Sequence, residues 1–270
     1  MKKNIWIALL SVITVCCVIG GTFYHSGLFR YGEGFRFVDA RTTSTSADLD
    51  AFAVIDLDAD MMSLTIEEGD HFYLYCQYTD RLEFSYEVKD GTLFVRERNP
   101  RTINGLRGER CDLTLTVPEG TVLDSVDIRT AMGDVTMDKI AVSDCEALTS
   151  MGSCIFKKCS FDRTDICTNM GEITLRDTQL GDAELNNHMG SVEAESCTFS
   201  SLTVVNAMGD VLIDAQQNLD AYEIDLEASM GSVHVNGEHE GTKYRQKGDA
   251  GTLKATLSMG TVSLNYTDAE

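Results

Sequence analysis

The stretch "NNHMGSVEAES", residues 186–196, contains a Met-Gly pair followed by a small polar residue and a valine, and the same pair stands nineteen residues before it and nineteen after. Along the chain it recurs as Met132-Gly133, Met151-Gly152, Met170-Gly171, Met189-Gly190, Met208-Gly209, Met230-Gly231 and Met259-Gly260, in steps of 19, 19, 19, 19, 22 and 29 residues. A constant step of this length marks a stacked repeat. Aligned on methionine, the positions three and five later are apolar throughout: Val135 and Met137, Cys154 and Phe156, Ile173 and Leu175, and so on to Val262 and Leu264. Four residues before Met stand Ile128, Ala147, Ile166, Leu185, Val204, Leu226 and Ala255. Ile140/Val142, Cys159/Phe161 and Cys197/Phe199 suggest a third short strand. Apolar residues two apart read as strands. The expected fold is therefore all-β, a parallel β-helix (β-solenoid) with coils of about 19 residues stacked about 4.8 Å apart.

The inward-facing parity changes between the strand before Met and the strand after it, so the chain turns a corner at Met-Gly. Glycine supplies positive φ there, and the flexible methionine is expected to fill the corner of the core. A copper-binding thioether column is the alternative; packing is preferred because the neighbouring columns are core. Two positions before Met, Thr130, Thr149, Thr168, Asn187 and Asn206 predict a ladder bonded up and down the stack. Two positions after, acids alternate with hydroxyls from Asp134 to Thr261, an arrangement that separates like charges and offers each acid a hydroxyl donor. The same column could serve an inverting glycosidase, but a regular column lacks the contrasting environments that split acid from base.

Composition places the chain among globular proteins: 270 residues, 43% hydrophobic and 24% charged. Asp and Glu number 43 against 22 Lys and Arg, a net charge of −21. Such a surface repels nucleic acid and anionic headgroups, so no nucleic-acid partner is expected. At the N-terminus, Lys2 and Lys3 precede an uncharged run over residues 5–23, long enough to span a bilayer. An uncleaved anchor is favoured over a signal peptide because no A-x-A-like site ends the run. The expected organisation is a cytoplasmic N-terminus and transmembrane anchor at 1–24, a linker at 25–37, a β-strand region at 38–118 that starts and caps the solenoid, and the Met-Gly solenoid at 119–270. The chain is expected in the cell membrane as a single-pass protein, solenoid outside and bilayer contact through the N-terminal helix.

In the capping region, Ile55, Leu57 and Ala59 alternate with Asp56, Asp58 and Asp60, and "LEFSYEVKDGTLFVRER" reads as a hairpin at Asp90-Gly91. The succession "SLTIEEGDHFYLYCQY", "GTLFVRER", "CDLTLTVPEGTVLDSVDIRTAMGDVTM" and the repeated "MGSV" or "MGDV" resembles the bacterial family named "putative adhesin" over residues 50 to 265. That resemblance implies an envelope β-solenoid of unknown function, with some members linked to envelope-stress operons. It supplies no catalytic residues.

Cys16 and Cys17 fall in the anchor; the other seven cysteines form no C-x-x-C pair and are expected to pack as small hydrophobes. No catalytic residue, metal site or cofactor is expected. Asp56, Asp58 and Asp60 share a strand face and are read as a solvated acidic face, with Ca²⁺ binding as the alternative. Arg96, Arg98, Arg101, Arg107 and Arg110 form a basic segment, read either as a docking loop for anionic wall polymer or an acidic neighbour, or as neutralising nearby carboxylates. The functional expectation is a non-enzymatic binding, adhesin-like or scaffold protein of the cell envelope, taking a cationic peptide or an envelope protein. The alternative is a polysaccharide-acting β-helix hydrolase or lyase, with residues 236–251 projecting beside the coil as the irregular place.

Overall fold

The computed structural model describes residues 41–99 and 110–267. The expected anchor and linker, and Arg101 and Arg107, lie outside them. Among the described residues every regular element is a strand, and no helix is long and apolar enough to cross a membrane. Before the repeats come β1 (Thr42–Asp48), β2 (Val54–Gly69), β3 (Tyr73–Thr79), β4 (Glu83–Lys89), β5 (Thr92–Arg98) and β6 (Cys111–Pro118). The regular repeats are β7 (Val122–Met132), β8 (Val135–Asp138), β9 (Ala141–Met151), β10 (Cys154–Lys157), β11 (Ser160–Met170), β12 (Ile173–Arg176), β13 (Gln179–Met189), β14 (Val192–Met208) and β15 (Val211–Ala215). Then follow β16 (Glu223–Val235), β17 (Glu238–Gly241), β18 (Lys243–Gln246) and β19 (Thr252–Tyr266).

Parallel pairing makes Met132, Met151, Met170, Met189 and Met208 successive neighbours, so one sequence period is one coil. Each coil has a long face ending at Met, a short face that begins three residues later, and a narrow third side. The apolar columns point inward: Ile128, Ile166, Val135, Phe156, Ile140 and Phe161 are all buried, and one continuous core runs from Phe52 to Leu264. A second corner separates the short face from the narrow side. It is made by Lys139, Lys158, Asp177 and Ser196, with φ of 59°, 53°, 50° and 54°. No glycine marks that turn.

The ends of the stack depart from chain order. The long strand β2 lies between β5 and β6 on one side and β7 and β8 on the other. At the opposite end β19 lies between β14/β15 and β16, so Met259 neighbours Met208 and Met230 is outermost. The coils begun by the 22- and 29-residue steps therefore do not stack in chain order. Residues 236–251 do not project beside the coil: β17 and β18 fold back antiparallel onto β16, β18 along its long face, and close the stack. Covering an open parallel edge with a short hairpin is a usual way to block further pairing.

Candidate functional site: the corner columns and the acidic long face

At the Met-Gly corner the backbone leaves no room for a side chain. Gly133, Gly152, Gly171, Gly190, Gly209 and Gly260 have φ between 125° and 153°, and a Cβ on any of them would sit 1.9–2.2 Å from a backbone oxygen of the coil before it in the stack. The ladder continues through the turn, with each of these N–H groups from Gly133 to Gly209 donating to the Met carbonyl of the next coil at 2.9–3.1 Å.

The methionines do not fill the core, which corrects the packing expectation. Met151, Met170, Met189, Met208, Met230 and Met259 are 43–61% exposed. The inner radius of the corner is taken by the residue two positions earlier. Thr168 Oγ1 donates to Gly152 O at 3.1 Å, Asn187 Nδ2 to Gly171 O at 3.2 Å and Asn206 Nδ2 to Gly190 O at 3.0 Å. These buried side chains brace the glycine carbonyl of the preceding coil instead of bonding to one another, and Met is left on the outer radius. The column after Met works similarly: Ser153 N–H donates to Asp134 Oδ1 at 2.8 Å, Glu172 N–H to Ser153 Oγ at 3.2 Å and Thr261 N–H to Asp210 Oδ1 at 2.8 Å. Backbone N–H groups, not hydroxyls, are the donors to these acids. Asp134 and Asp210 thereby hold the backbone of the neighbouring coil at the corner.

The long face carries an acidic ladder that the Met-based alignment missed. Five residues before Met61, Met132, Met151, Met170 and Met189, the residues Asp56, Asp127, Glu146, Asp165 and Glu184 are successive neighbours, and the column ends at Thr203 of the next coil. Its signal, an acid every nineteen residues, was present in the sequence beside the apolar columns. Parallel neighbours about 4.8 Å apart repel when both are charged. One end is neutralised: Arg96 bonds Asp56 at 2.8 Å, and Arg129 bonds Asp127 at 2.9 Å and Glu146 at 3.4 Å. Further along, Arg163 pairs with Asp144, while among the described residues no ion pair engages Asp165, Asp182 or Glu184. These groups line an open groove of about 450 Å³ with Asp144, Glu146 and Arg163. Burial pushes the Asp165 carboxyl above its ordinary value, reinforced by Glu184 and Glu146; burial likewise raises Asp127, opposed by Arg129.

The basic segment divides. Arg96 and Arg98 lie on β5, where they bond Asp56 and Asp58, and Asp60 Oδ2 accepts the Asn99 N–H at 2.9 Å. All three aspartates are therefore engaged at the cap, Arg96 and Arg98 act there as neutralising groups, and Arg110 stands just before β6. Among the described residues no group of three or more His, Cys, Asp or Glu side chains is placed to hold a metal ion. Between the two arginines, Glu97 is fully buried, its Oε2 accepting Asp60 N–H at 2.9 Å and Met61 N–H at 2.6 Å. It occupies the same inner-corner column as Thr130, one coil beyond Ala59. Burial raises its carboxyl. Cys76 and Cys111, both buried, place their Sγ atoms 3.5 Å apart between β3 and β6. Cys145, Cys154, Cys159 and Cys197 are buried in the core.

A stack of parallel coils with glycine corners, a swapped strand at each end and an acidic long face defines the chain as a capped β-solenoid. It belongs to the family described as Toastrack DUF4097, whose model matches residues 52–268. No curated protein matches its sequence significantly. The structure described as a "putative adhesin" from Bacteroides fragilis matches with a TM-score of 0.53 at 14% identity, over 84% of this chain and 97% of that one. A "putative lipid binding protein" from Parabacteroides distasonis gives a TM-score of 0.43 at 17% identity, over 85% and 98% of the two chains. A "putative adhesin" from the same organism gives 0.43 at 12% identity, over 84% and 98%.

Proposed function

We propose that the chain is a non-catalytic, adhesin-like binding protein of the cell envelope that captures a cationic peptide or the basic surface of an envelope protein on its long face. The observation that carries this reading is the groove lined by Asp165, Asp182 and Glu184, where Asp165 and Glu184 stand in register, Asp182 stands beside Arg163, and none of the three carboxylates has an ion-pair partner among the described residues. A polycation with charges a few ångströms apart relieves the repulsion along such a ladder, and a net charge of −21 draws it in. The uncharged run over residues 5–23 behind Lys2 and Lys3 supports a single-pass anchor with the solenoid outside. Placement outside the membrane suits the capture of peptides arriving at the bilayer, and so fits the envelope-stress setting implied by the family resemblance.

The test is titration of the full chain in neutral detergent with a Lys/Arg-rich peptide at several salt concentrations, beside an Asp165→Asn/Asp182→Asn/Glu184→Gln variant. The wild type is expected to retain binding at 0.15 M salt, where the Debye length is about 8 Å, and the variant to lose it. Equal binding by both proteins would reduce the attraction to bulk charge and remove the groove as a site.

A further inference from the structure

The methionine column is used neither by the core nor by the acidic groove, yet it is the most constant side chain at the surface. Every Met-Gly repeat keeps it: six exposed thioethers, Met151, Met170, Met189, Met208, Met259 and Met230, run in register down one edge, and the half-buried Met132 and Met61 continue the column toward the cap, where Met61 Sδ accepts from Asn99 Nδ2 at 3.2 Å. Exposed positions without a task vary between repeats, as the adjoining column does with Ala131, Ser150, Asn169 and His188. The buried columns also interchange Val, Ile, Cys and Leu freely. A position that only had to be apolar would do the same; this one holds to the single apolar residue with a soft donor atom. The column even survives the reordering of coils, since β19 sets Met259 between Met208 and Met230.

We infer that this exposed column is a binding ladder for soft monovalent cations of the Cu(I) class. Thioether sulfur favours such ions over hard ones. Methionines on neighbouring coils start from strands about 4.7–4.9 Å apart, within the reach of two flexible, unbranched side chains converging on one ion. Neighbouring coils can therefore supply two sulfurs to one ion. Binding is ligand exchange: the ion sheds solvent or chelator, two sulfur lone pairs take their place, and no oxidation state changes. Thioethers carry no proton to displace, so the ladder holds its ion at pH 5 as at pH 7, unlike thiolate, imidazole or carboxylate sites. The field of the acidic surface brings cations to it. The inference is independent of the groove, whose carboxylate variants leave every sulfur in place.

The experiment uses the full chain in detergent with ¹³C-labelled methionine methyls, titrated anaerobically with Ag(I), a redox-inert stand-in, and with Cu(I) delivered from a competing chelator. Methyl signals of the column are expected to move at micromolar metal and equally at pH 5 and 7, while those of Met62 and Met137, both fully buried, stay fixed. Replacing Met170, Met189 and Met208 together by Leu keeps the apolar stripe and removes the sulfur. It should weaken binding by more than the about 10–100-fold that outer-shell changes cost, without moving the melting temperature, and Cys167→Ser, which removes the only cysteine among the described residues that is not buried, should bind as wild type. Column signals that stay still, a response lost at pH 5, dependence on Cys167, or full binding by the Leu variant would each overturn the inference; the last would leave an apolar contact stripe.

Discussion

At Gly171 a methyl group would sit 1.9 Å from the Gly152 carbonyl oxygen, in a backbone with φ of 153°. Neither contact partner can yield, because both belong to the ladder that joins the coils. Gly171→Ala is therefore expected to fall in the exceptional class that costs more than about 4 kcal/mol. Met170→Leu, one residue away and on the outer radius, should stay within about 0.5 kcal/mol. Chemical denaturation of the two variants checks the contrast; similar losses would mean that the corner is not built on glycine. The need for glycine was legible from its spacing and from the parity change beside it. The exposure of methionine was not, because parity shows that a corner exists but not which residue takes its inner radius. That place goes to Thr168 and Asn187, whose polar side chains can hold the glycine carbonyl. The second corner was illegible for a related reason: Lys158 and Asp177 adopt positive φ with no glycine to announce it.

One coil is a nearly separable element, since its strands pair with those above and below. Removing residues 151–169 brings Ser150 to Met170 and rejoins every column in register. The shortened protein is expected to unfold cooperatively, one coil shorter. Removing residues 160–169 alone should abolish the transition, because Cys159 would run directly into Met170 without a long face; circular dichroism melts distinguish the two. The end caps depend on pairings distant in sequence, and these were the part of the fold that the period could not disclose. Cys76 and Cys111 belong to them. In the antiparallel pair of β3 and β6 their sulfurs are already 3.5 Å apart. Exposure to a small disulfide oxidant should join them as each thiol gives up its hydrogen to the oxidant. A peptide map without reductant should contain the 76–111 link, and the closed loop should add about 2–4 kcal/mol of stability. Separate alkylation of the two cysteines after oxidation would exclude the link.

Over the whole molecule, acidic groups outnumber basic ones and several are held where ionisation is unfavourable. Burial raises the carboxyls of Glu97, Asp127 and Asp165 in the folded state. A folded acid with a raised pKa binds its proton more tightly than the unfolded chain does, so each of the three costs stability at neutral pH and returns it as pH falls through its folded value. Asp58 acts in the opposite sense. The hydrogen bond from Arg98 lowers it, and its contribution persists until pH falls below the ordinary carboxylate range of about 4. As pH falls from neutrality toward the ordinary carboxylate range, the raised groups take up protons ahead of the rest of the 43 acids. The melting temperature should therefore rise on mild acidification, by about 2–4 °C for each kcal/mol relieved, and turn downward below about pH 4 as Asp58 takes up its proton. Glu97→Gln should flatten the rise, since it removes the most deeply buried of the three ionisations while leaving an oxygen to accept the Asp60 and Met61 N–H groups. A melting temperature that falls from pH 7 to pH 5, or a variant with the slope of the wild type, would show that these carboxyls do not set the pH response.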